Sequence, residues 1–350
     1  MSSPLDRSCY LLRMDHAVTL KNVAAHAGVS RTTASNVVTG TGRVSSETRD
    51  RVHQAMRELG YVYNRGAASL RTRRTTTVGV VVTDIANPFF GELLVGLEAA
   101  LAEAGFRSLV VASSDDPVRQ DELISELREY QVAGLAVMPA SRSGRTFLEG
   151  LEASRIPHVF VTKYLEGVSA PYVGPDDRLG GRLAAEHLLG HGCRTFAFVG
   201  GFSRHLSRRD RIEGVRSALA DAVMDPGRLI EVESPSNGEG GLLAGQQLLE
   251  RGRLPEAIIC QSDGVAFGVY RALRRAGRAG EVRVIGYDDV RTAALWEPPL
   301  TSVATRPEML GRAAAELLLE EIAEPSAGVS QRVFAPELVV RESCGCHEAP

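Results

Sequence analysis

No apolar run in the 350-residue chain approaches the ~20 residues that a membrane-spanning helix needs, so a helical membrane span is excluded. Residues 1–16 hold only the short Tyr10-Leu11-Leu12 apolar patch and no small-residue cleavage pattern; no secretion signal is read there, and the expected location is the cytoplasm. Cysteine is scarce. Cys9, Cys193, Cys260, Cys344 and Cys346 are scattered and odd in number, which excludes a disulfide framework. Cys344-Gly345-Cys346-His347 has the chemistry of metal ligands, but it lacks a second ligand pair at finger-like spacing and lies near a loose end, so no metal site and no cofactor are expected. Catalytic signatures are missing as well: there is no G-x-x-x-x-G-K-[ST] phosphate loop, no H-E-x-x-H, and no G-x-G-x-x-G after the first apolar strand. Gly201-Phe202-Ser203-Arg204-His205 begins like a nucleophile elbow, yet His205 stands where the sharp strand-to-helix turn needs its closing glycine. An enzyme is not expected, and no catalytic residue is assigned.

What is present is an ordinary globular composition, 44% apolar and 24% charged, in a chain long enough for two or three domains. The charge is unevenly spread. Residues 19–75 carry ten Lys/Arg against three acids, a balance of +7, and residues 1–18 are neutral; the overall −3 therefore leaves −10 on residues 76–350. A basic module joined to an acidic body is what a phosphate-binding head on a separate domain would show.

The basic module has its own helical pattern. Leu20, Val23, Ala24 and Ala27 recur at helical spacing, and Gly28 can supply the positive φ that stops a helix. Ser30 is placed to cap a second helix with Ala34, Val37 and Val38 inward and Arg31, Thr32, Ser35 and Asn36 outside. Ser45 caps a third, with Val52, Ala55, Met56 and Leu59 as its buried stripe and Gly60 as its stop. Two short helices joined by a glycine turn make a helix-turn-helix, and three can close a small core while leaving the second free for a major groove. Residues 1–18 lack periodicity and are expected to be a disordered tail, with Met14 as an alternative start. Residues 64–75 read as a hinge helix and linker, too short to be helical in isolation.

From Val78 onward apolar strands alternate with amphipathic helices. Strands are expected at 78–82, 108–112, 134–138, 158–161, 195–199, 257–260 and 282–285, and helices at 91–104, 118–130, 178–189, 208–220, 240–250, 265–276 and 307–322. Continuous apolar strands between helices imply parallel sheets covered on both faces. The segment is too long for one ordinary open sheet, so two similar lobes are expected. The fold class is a small all-α helix-turn-helix headpiece over 19–63 plus an α/β two-lobed body over 76–343.

Residues 19–65 resemble the headpiece of the lactose/galactose repressor family, in TLKNVAAHAGVSRTTASNVVTGTGRVSSETRDRV and then ELGYVYNRGAASL. The likeness continues more loosely to about residue 343, through Asn87-Pro-Phe-Phe90, Gly174-Pro-Asp-Asp177, Gly286-Tyr-Asp-Asp289 and Pro336 to Ser343. It implies a periplasmic-binding-protein-like body whose chain crosses between lobes three times: lobe 1 about 76–175 and 305–335, lobe 2 about 176–304 and 336–343, with 344–350 a tail. It also implies a homodimeric repressor on a palindromic double-stranded DNA operator. Arg31, Thr32 and Asn36 are then expected to read bases, while Thr19, Lys21, Ser30, Ser45, Thr48 and Asn64 hold the DNA backbone. Leu70 matches the leucine that the family wedges into the minor groove. Asn36 replaces an arginine common at that position; arginine favours guanine and asparagine adenine, so the half-site is expected to differ there.

A ligand would bind outside the carboxyl ends of the strands, between the lobes. Strand ends nominate Asp84, Asn87, Ser262, Asp263 and Asp288; Phe89 and Phe90 offer an apolar wall or pack the next helix. The resemblance adds Arg211 as a cleft arginine and supports Asp288 as a cleft carboxylate, while Asp176 reads as a helix cap. Mixed acids, amides and one arginine suggest a small-molecule effector that is a sugar or another polar metabolite. Two departures stand out. Thr162-Lys163 occupies the place of a frequent Asp-Arg, and the 233–241 loop lacks the aromatic that often stacks on a sugar ring. The competing reading is a cytoplasmic solute-binding protein with a non-functional headpiece.

Overall fold

The computed structural model describes residues 18–63, 75–324 and 329–346. Of the expected tail at 1–18, residues 1–17 lie outside the described residues, as does most of the hinge, including Asn64 and Leu70; Val18 instead packs against the headpiece core. The chain divides into two compact units, Met1–Arg74 and Thr75–Pro350.

The first unit contains α1 (Leu20–His26), α2 (Arg31–Thr39) and α3 (Ser46–Leu59). Each starts on a hydroxyl that accepts an otherwise orphaned backbone N–H: Thr19 from Asn22, Ser30 from Thr33 and Ser45 from Thr48. Such a cap is worth about 1 kcal/mol. α2 and α3 end on Gly40 and Gly60, whose φ values of 70° and 63° favour glycine. The core is built from small side chains, Val23, Ala24, Ala27, Ala34, Val37, Val52 and Ala55, so the helices approach closely. A His26–Glu58 pair at 2.7 Å links α1 to α3 at the surface.

The second unit is built on two six-stranded sheets among the described residues. The first part of the chain supplies β1 (Thr77–Val82), α4 (Pro88–Glu103), β2 (Arg107–Ala112), α5 (Pro117–Glu129), β3 (Leu135–Val137), α6 (Arg145–Ser154), β4 (His158–Val161) and β5 (Tyr172–Pro175). It then crosses to the other sheet with α7 (Asp177–Gly190), β6 (Phe196–Val199), α8 (Leu206–Asp221), β7 (Ile230–Val232), α9 (Gly238–Glu250), β8 (Ala257–Cys260), α10 (Asp263–Arg275), β9 (Arg283–Asp288) and β10 (Ser302–Ala304). It returns with α11 (Pro307–Ala323) and β11 (Gln331–Phe334), and crosses a last time to β12 (Glu337–Val339). The first sheet has the order β11-β5-β4-β3-β1-β2 and the second β12-β10-β9-β8-β6-β7. All pairings are parallel except β10 with β12. Val78, Val80, Val81 and Val82 of β1 are fully buried, which is why that strand reads as an unbroken apolar run.

Helices α7 and α8 cross at bare backbone. A methyl on Gly181 would lie 2.0 Å from the Arg211 carbonyl oxygen, and one on Gly214 would lie 1.9 Å from that of Arg178. The two glycines thus set how deep Arg211 sits. Among the described residues no helix is long and apolar enough to cross a membrane.

One expected boundary is corrected. Residues 344–350 do not all form a tail: Cys344 is fully buried in a core of the second lobe, and Cys346 packs against it. The cause is Ser343, whose hydroxyl accepts the Thr301 N–H at 2.7 Å and donates to the Val284 carbonyl at 2.6 Å, pinning the chain to the sheet. Residues 347–350 lie outside the described residues.

Candidate functional site

In the headpiece, Thr19, Lys21, Ser30, Arg31, Thr32 and Ser45 are exposed, whereas Asn36 and Thr48 are half-buried. Arg31 and Thr32 open α2, where side chains of a recognition helix meet base edges. Ser30 and Ser45 cap α2 and α3, so the positive ends of these two helices sit beside hydroxyls and suit phosphate. Asn36 has a second neighbour. A Cβ on Gly42, at φ 76°, would come within 2.9 Å of the Asn36 amide nitrogen, so that side chain lies against the turn after α2. The headpiece salt bridge among the described residues is His26–Glu58, which leaves the charge of Lys21, Arg31, Arg43, Arg49 and Arg51 available to a polyanion.

In the body, a cleft of about 430 Å³ is lined by residues of both lobes. It gathers Asp84, Asn87, Phe89, Arg211, Ser262 and Asp288 from positions spread over some two hundred residues of chain. Helix caps recur around it for a simple reason: parallel strands end here, and the helices that follow must begin here. Asn87 caps α4 by accepting the Phe89 N–H at 3.1 Å, and Ser262 caps α10 by accepting that of Val265 at 3.3 Å. Asn237 caps α9 in the same way and also lines the cleft. Asp84 accepts the Ala86 N–H at 3.0 Å. Phe89 and Phe90 meet edge to face, 5.2 Å between centroids, and both belong to the first lobe's core as well as to the cleft wall.

Arg211 is held on several sides. Its Nε donates to Asp177 at 2.8 Å, its Nη1 donates to the Gln261 carbonyl, and its guanidinium stacks 3.5 Å above the Tyr287 ring centroid. Its Nη2 has no hydrogen bond among the described residues. Burial pushes the Asp288 carboxyl well above the usual carboxylate range, against the pull of Arg211. Asp288 also takes φ 103°, a conformation that side chains rarely adopt, at the end of β9.

Two of the acids beyond strand ends serve the lobe's packing. Asp263 accepts the Val290 N–H at 2.8 Å and the Ser302 hydroxyl at 2.6 Å and is absent from the cleft wall; burial pushes its carboxyl up to about 7. Asp176 caps α7 by accepting the Leu179 N–H at 2.9 Å.

The sequence reading missed a polar cluster at the first lobe's rim. Lys163 donates to Asp115 at 3.1 Å, and the Ser141 hydroxyl and N–H both donate to the same carboxylate. Burial alone would raise Asp115, but Lys163 and Ser141 outweigh it and hold the carboxyl below its ordinary value. His205 lies 3.7 Å away; burial, reinforced by Lys163, lowers its imidazole to about 4, so it is neutral at physiological pH. The failed elbow motif finds a place here: Phe202 lines the cleft with the Arg204 guanidinium 4.2 Å over its ring. It supplies an aromatic face that the 233–241 loop lacks. The signal available in the sequence was its position just beyond strand β6.

The same two modules are found in known proteins. Residues 19–64 match the model of the bacterial regulatory proteins of the lacI family, and residues 185–344 match that of the periplasmic binding protein-like domain. The ribose operon repressor of Haemophilus influenzae is 32% identical over 327 residues, covering 93% of this chain and 98% of that protein. Among solved structures, the complex of the transcriptional regulator CelR with cellobiose shares 32% identity at a TM-score of 0.72, covering 93% of this chain and 99% of its own. The lac repressor dimer bound to operator and the anti-inducer ONPF shares 26% identity at a TM-score of 0.83, covering 94% and 99%. With a headpiece and a two-lobed body that both align over nearly the whole length of such regulators, the chain belongs to the LacI family of DNA-binding bacterial transcriptional regulators.

Proposed function

We propose that this protein is a homodimeric repressor, acting in the cytoplasm and without enzymatic activity, whose operator affinity is set by a sugar held between the two lobes. The observation that carries this reading is the lining of the cleft. One buried arginine, the carboxylates Asp84 and Asp288 and the amide of Asn87 offer hydrogen bonds in several directions, while Phe89 and Phe202 offer apolar faces. Polar edges between apolar walls suit a pyranose or furanose ring, whose hydroxyls lie around its rim and whose C–H groups lie on its faces. A cellobiose complex among the related structures supports the same ligand class. Isothermal calorimetry of the full-length protein against a panel that includes cellobiose and ribose tests it: the reading expects saturable 1:1 binding per chain of at least one sugar, competed by no unrelated amino acid or nucleotide.

Operator contact is assigned to Arg31, Thr32 and Asn36 for bases and to Thr19, Lys21, Ser30, Ser45, Thr48 and Asn64 for the backbone. Coupling between cleft and operator is assigned to the 64–75 hinge, with Leu70 as a minor-groove wedge; a coupling of this kind is typically worth about 1–3 kcal/mol. Leu70→Ala is expected to weaken specific binding and reduce DNA bending in a gel phasing assay, with sugar affinity unchanged. Wild-type bending by that variant would remove the wedge.

A further inference from the structure

The Cys344-Gly345-Cys346 run belongs to neither the cleft nor the headpiece, and the fold gives it what the sequence withheld, a second pair of ligands. His187 lies in the last turn of α7 and His191 just beyond it. A separation of four residues puts both imidazoles on one side of the helix, and their ring centroids are 4.7 Å apart. It is also the His-x-x-x-His spacing found in Cys2His2 zinc sites. The cysteines arrive from the other end of the lobe. β12 pairs with β10, Ser343 is pinned to the sheet, and a turn follows in which Gly345, at φ 84°, donates its N–H to the Glu342 carbonyl at 2.9 Å. Gly345 also leaves room for Arg283, whose Nε would lie 3.1 Å from any Cβ placed there.

The turn brings Cys346 Sγ to 3.1 Å from His191 Nε2 and 3.9 Å from His187 Nε2. All four ligand atoms lie within 4.8 Å of one another. In a tetrahedron with Zn–N and Zn–S bonds of about 2.0–2.3 Å, the ligand atoms stand about 3.3–3.8 Å apart, so closing the widest gap takes a contraction of about 1 Å. Two thiolates and two imidazoles in a tetrahedral set select Zn²⁺ over the hard, oxygen-seeking cations. Two thiolates also cancel the charge of the dication, so Arg283 beside the cluster does not oppose a filled site. The Thr301 hydroxyl, 3.2 Å from Cys344 Sγ, is in place to donate to that sulfur and orient it.

We propose that His187, His191, Cys344 and Cys346 form a Cys2His2 zinc site. With all four positions supplied by the protein it is a closed, structural site, and it clips the C-terminal segment to α7 in the second lobe. The sequence-based expectation of no metal site assumed that ligand pairs must be near in sequence; here more than 150 residues separate them and the sheet joins them.

The test uses the reduced full-length protein, stripped with a chelator and titrated with Co²⁺ and then Zn²⁺. One equivalent of Co²⁺ per chain should give the intense visible bands of tetrahedral cobalt and a thiolate charge-transfer band, both lost when Zn²⁺ displaces it. Zn²⁺ should raise the melting temperature of the wild type. Cys346→Ser and His191→Ala, at partly exposed positions, should lose the cobalt spectrum and the Zn²⁺-dependent rise while keeping the wild-type circular dichroism; Cys9→Ser should keep both. The proposal is overturned if reduced wild type gives only the weak spectrum of octahedral cobalt, or if both ligand variants bind like wild type. A variant that loses its fold is replaced by the alkylation readout: bound Zn²⁺ should protect the partly exposed Cys346 thiol of the wild type from iodoacetamide, and unchanged alkylation of Cys346 contradicts the site.

Discussion

The headpiece and the cleft solve recognition in opposite ways. The headpiece places its proposed reading residues on one short contiguous helix, Arg31 and Thr32 exposed and Asn36 half-buried, over a core of alanines and valines. The cleft draws on loops from across the body, and its central arginine is buried and already engaged by Asp177, Gln261 and Tyr287. An exposed basic face binds a partner by charge and can be altered one residue at a time. A buried, satisfied network binds by pre-positioned geometry and resists such change, because each member holds others in place.

That contrast is sharpest in Arg211→Ala. Besides removing the proposed donor to the ligand, it leaves the buried Asp177 carboxylate without its cation; breaking a buried pair in this way costs about 3–5 kcal/mol of stability. Urea unfolding should show a loss of that order, with Arg211→Ala/Asp177→Asn recovering part of it. If Arg211→Ala unfolds like wild type, the network is not what positions the arginine. Asp288→Asn is the gentler cleft variant, since asparagine tolerates positive φ better than alanine does. It should lower sugar affinity by up to about tenfold, as expected for one hydrogen bond worth about 1 kcal/mol, and leave operator affinity without sugar unchanged. Calorimetry showing undiminished affinity would take Asp288 out of the site.

Headpiece changes should be smaller and separable. Asn36→Arg should switch base preference at one half-site position by about 1–3 kcal/mol, read by selection from a random pool, and should leave sugar affinity alone. Uniform weakening across all sequences would mean that Asn36 serves the turn at Gly42 instead of a base. The smallest effect is expected from Lys21→Ala, which should reduce the slope of log affinity against log salt by about 1 per headpiece without altering sequence preference. An unchanged slope would place Lys21 away from phosphate.

The same contrast explains what the sequence disclosed. The headpiece was legible because caps, glycine stops and apolar spacing are local signals: Ser30, Ser45 and Gly60 stand where those signals put them. The long central strands and their covering helices were legible from unbroken apolar runs. Elements without a local signal were not. α6 starts at Gly144 with no side-chain cap, β5 contains Gly174 and Pro175, and β7, β10, β11 and β12 are only three or four residues long. Strand ends pointed to the cleft, but the Asp115–Lys163–Ser141 cluster could not be assembled from sequence, since three separate loops meet only after the sheet forms. Asp263 misled for the converse reason: it sits beyond a strand end yet turns into the packing under β9 and β10.

The central claim is that one chain couples a DNA-reading headpiece to a sugar-binding cleft, and fluorescence anisotropy of a labelled duplex selected from a random pool tests it most directly. Full-length protein is titrated with and without the sugar identified by calorimetry, at several salt concentrations, alongside Asp288→Asn. The account predicts a palindromic selected site, affinity that falls steeply with salt, a shift of about tenfold on adding sugar, and loss of that shift in the variant at equal sugar concentration. Equal binding to selected and random duplexes at physiological salt, or an operator affinity that saturating sugar leaves unchanged, would contradict it.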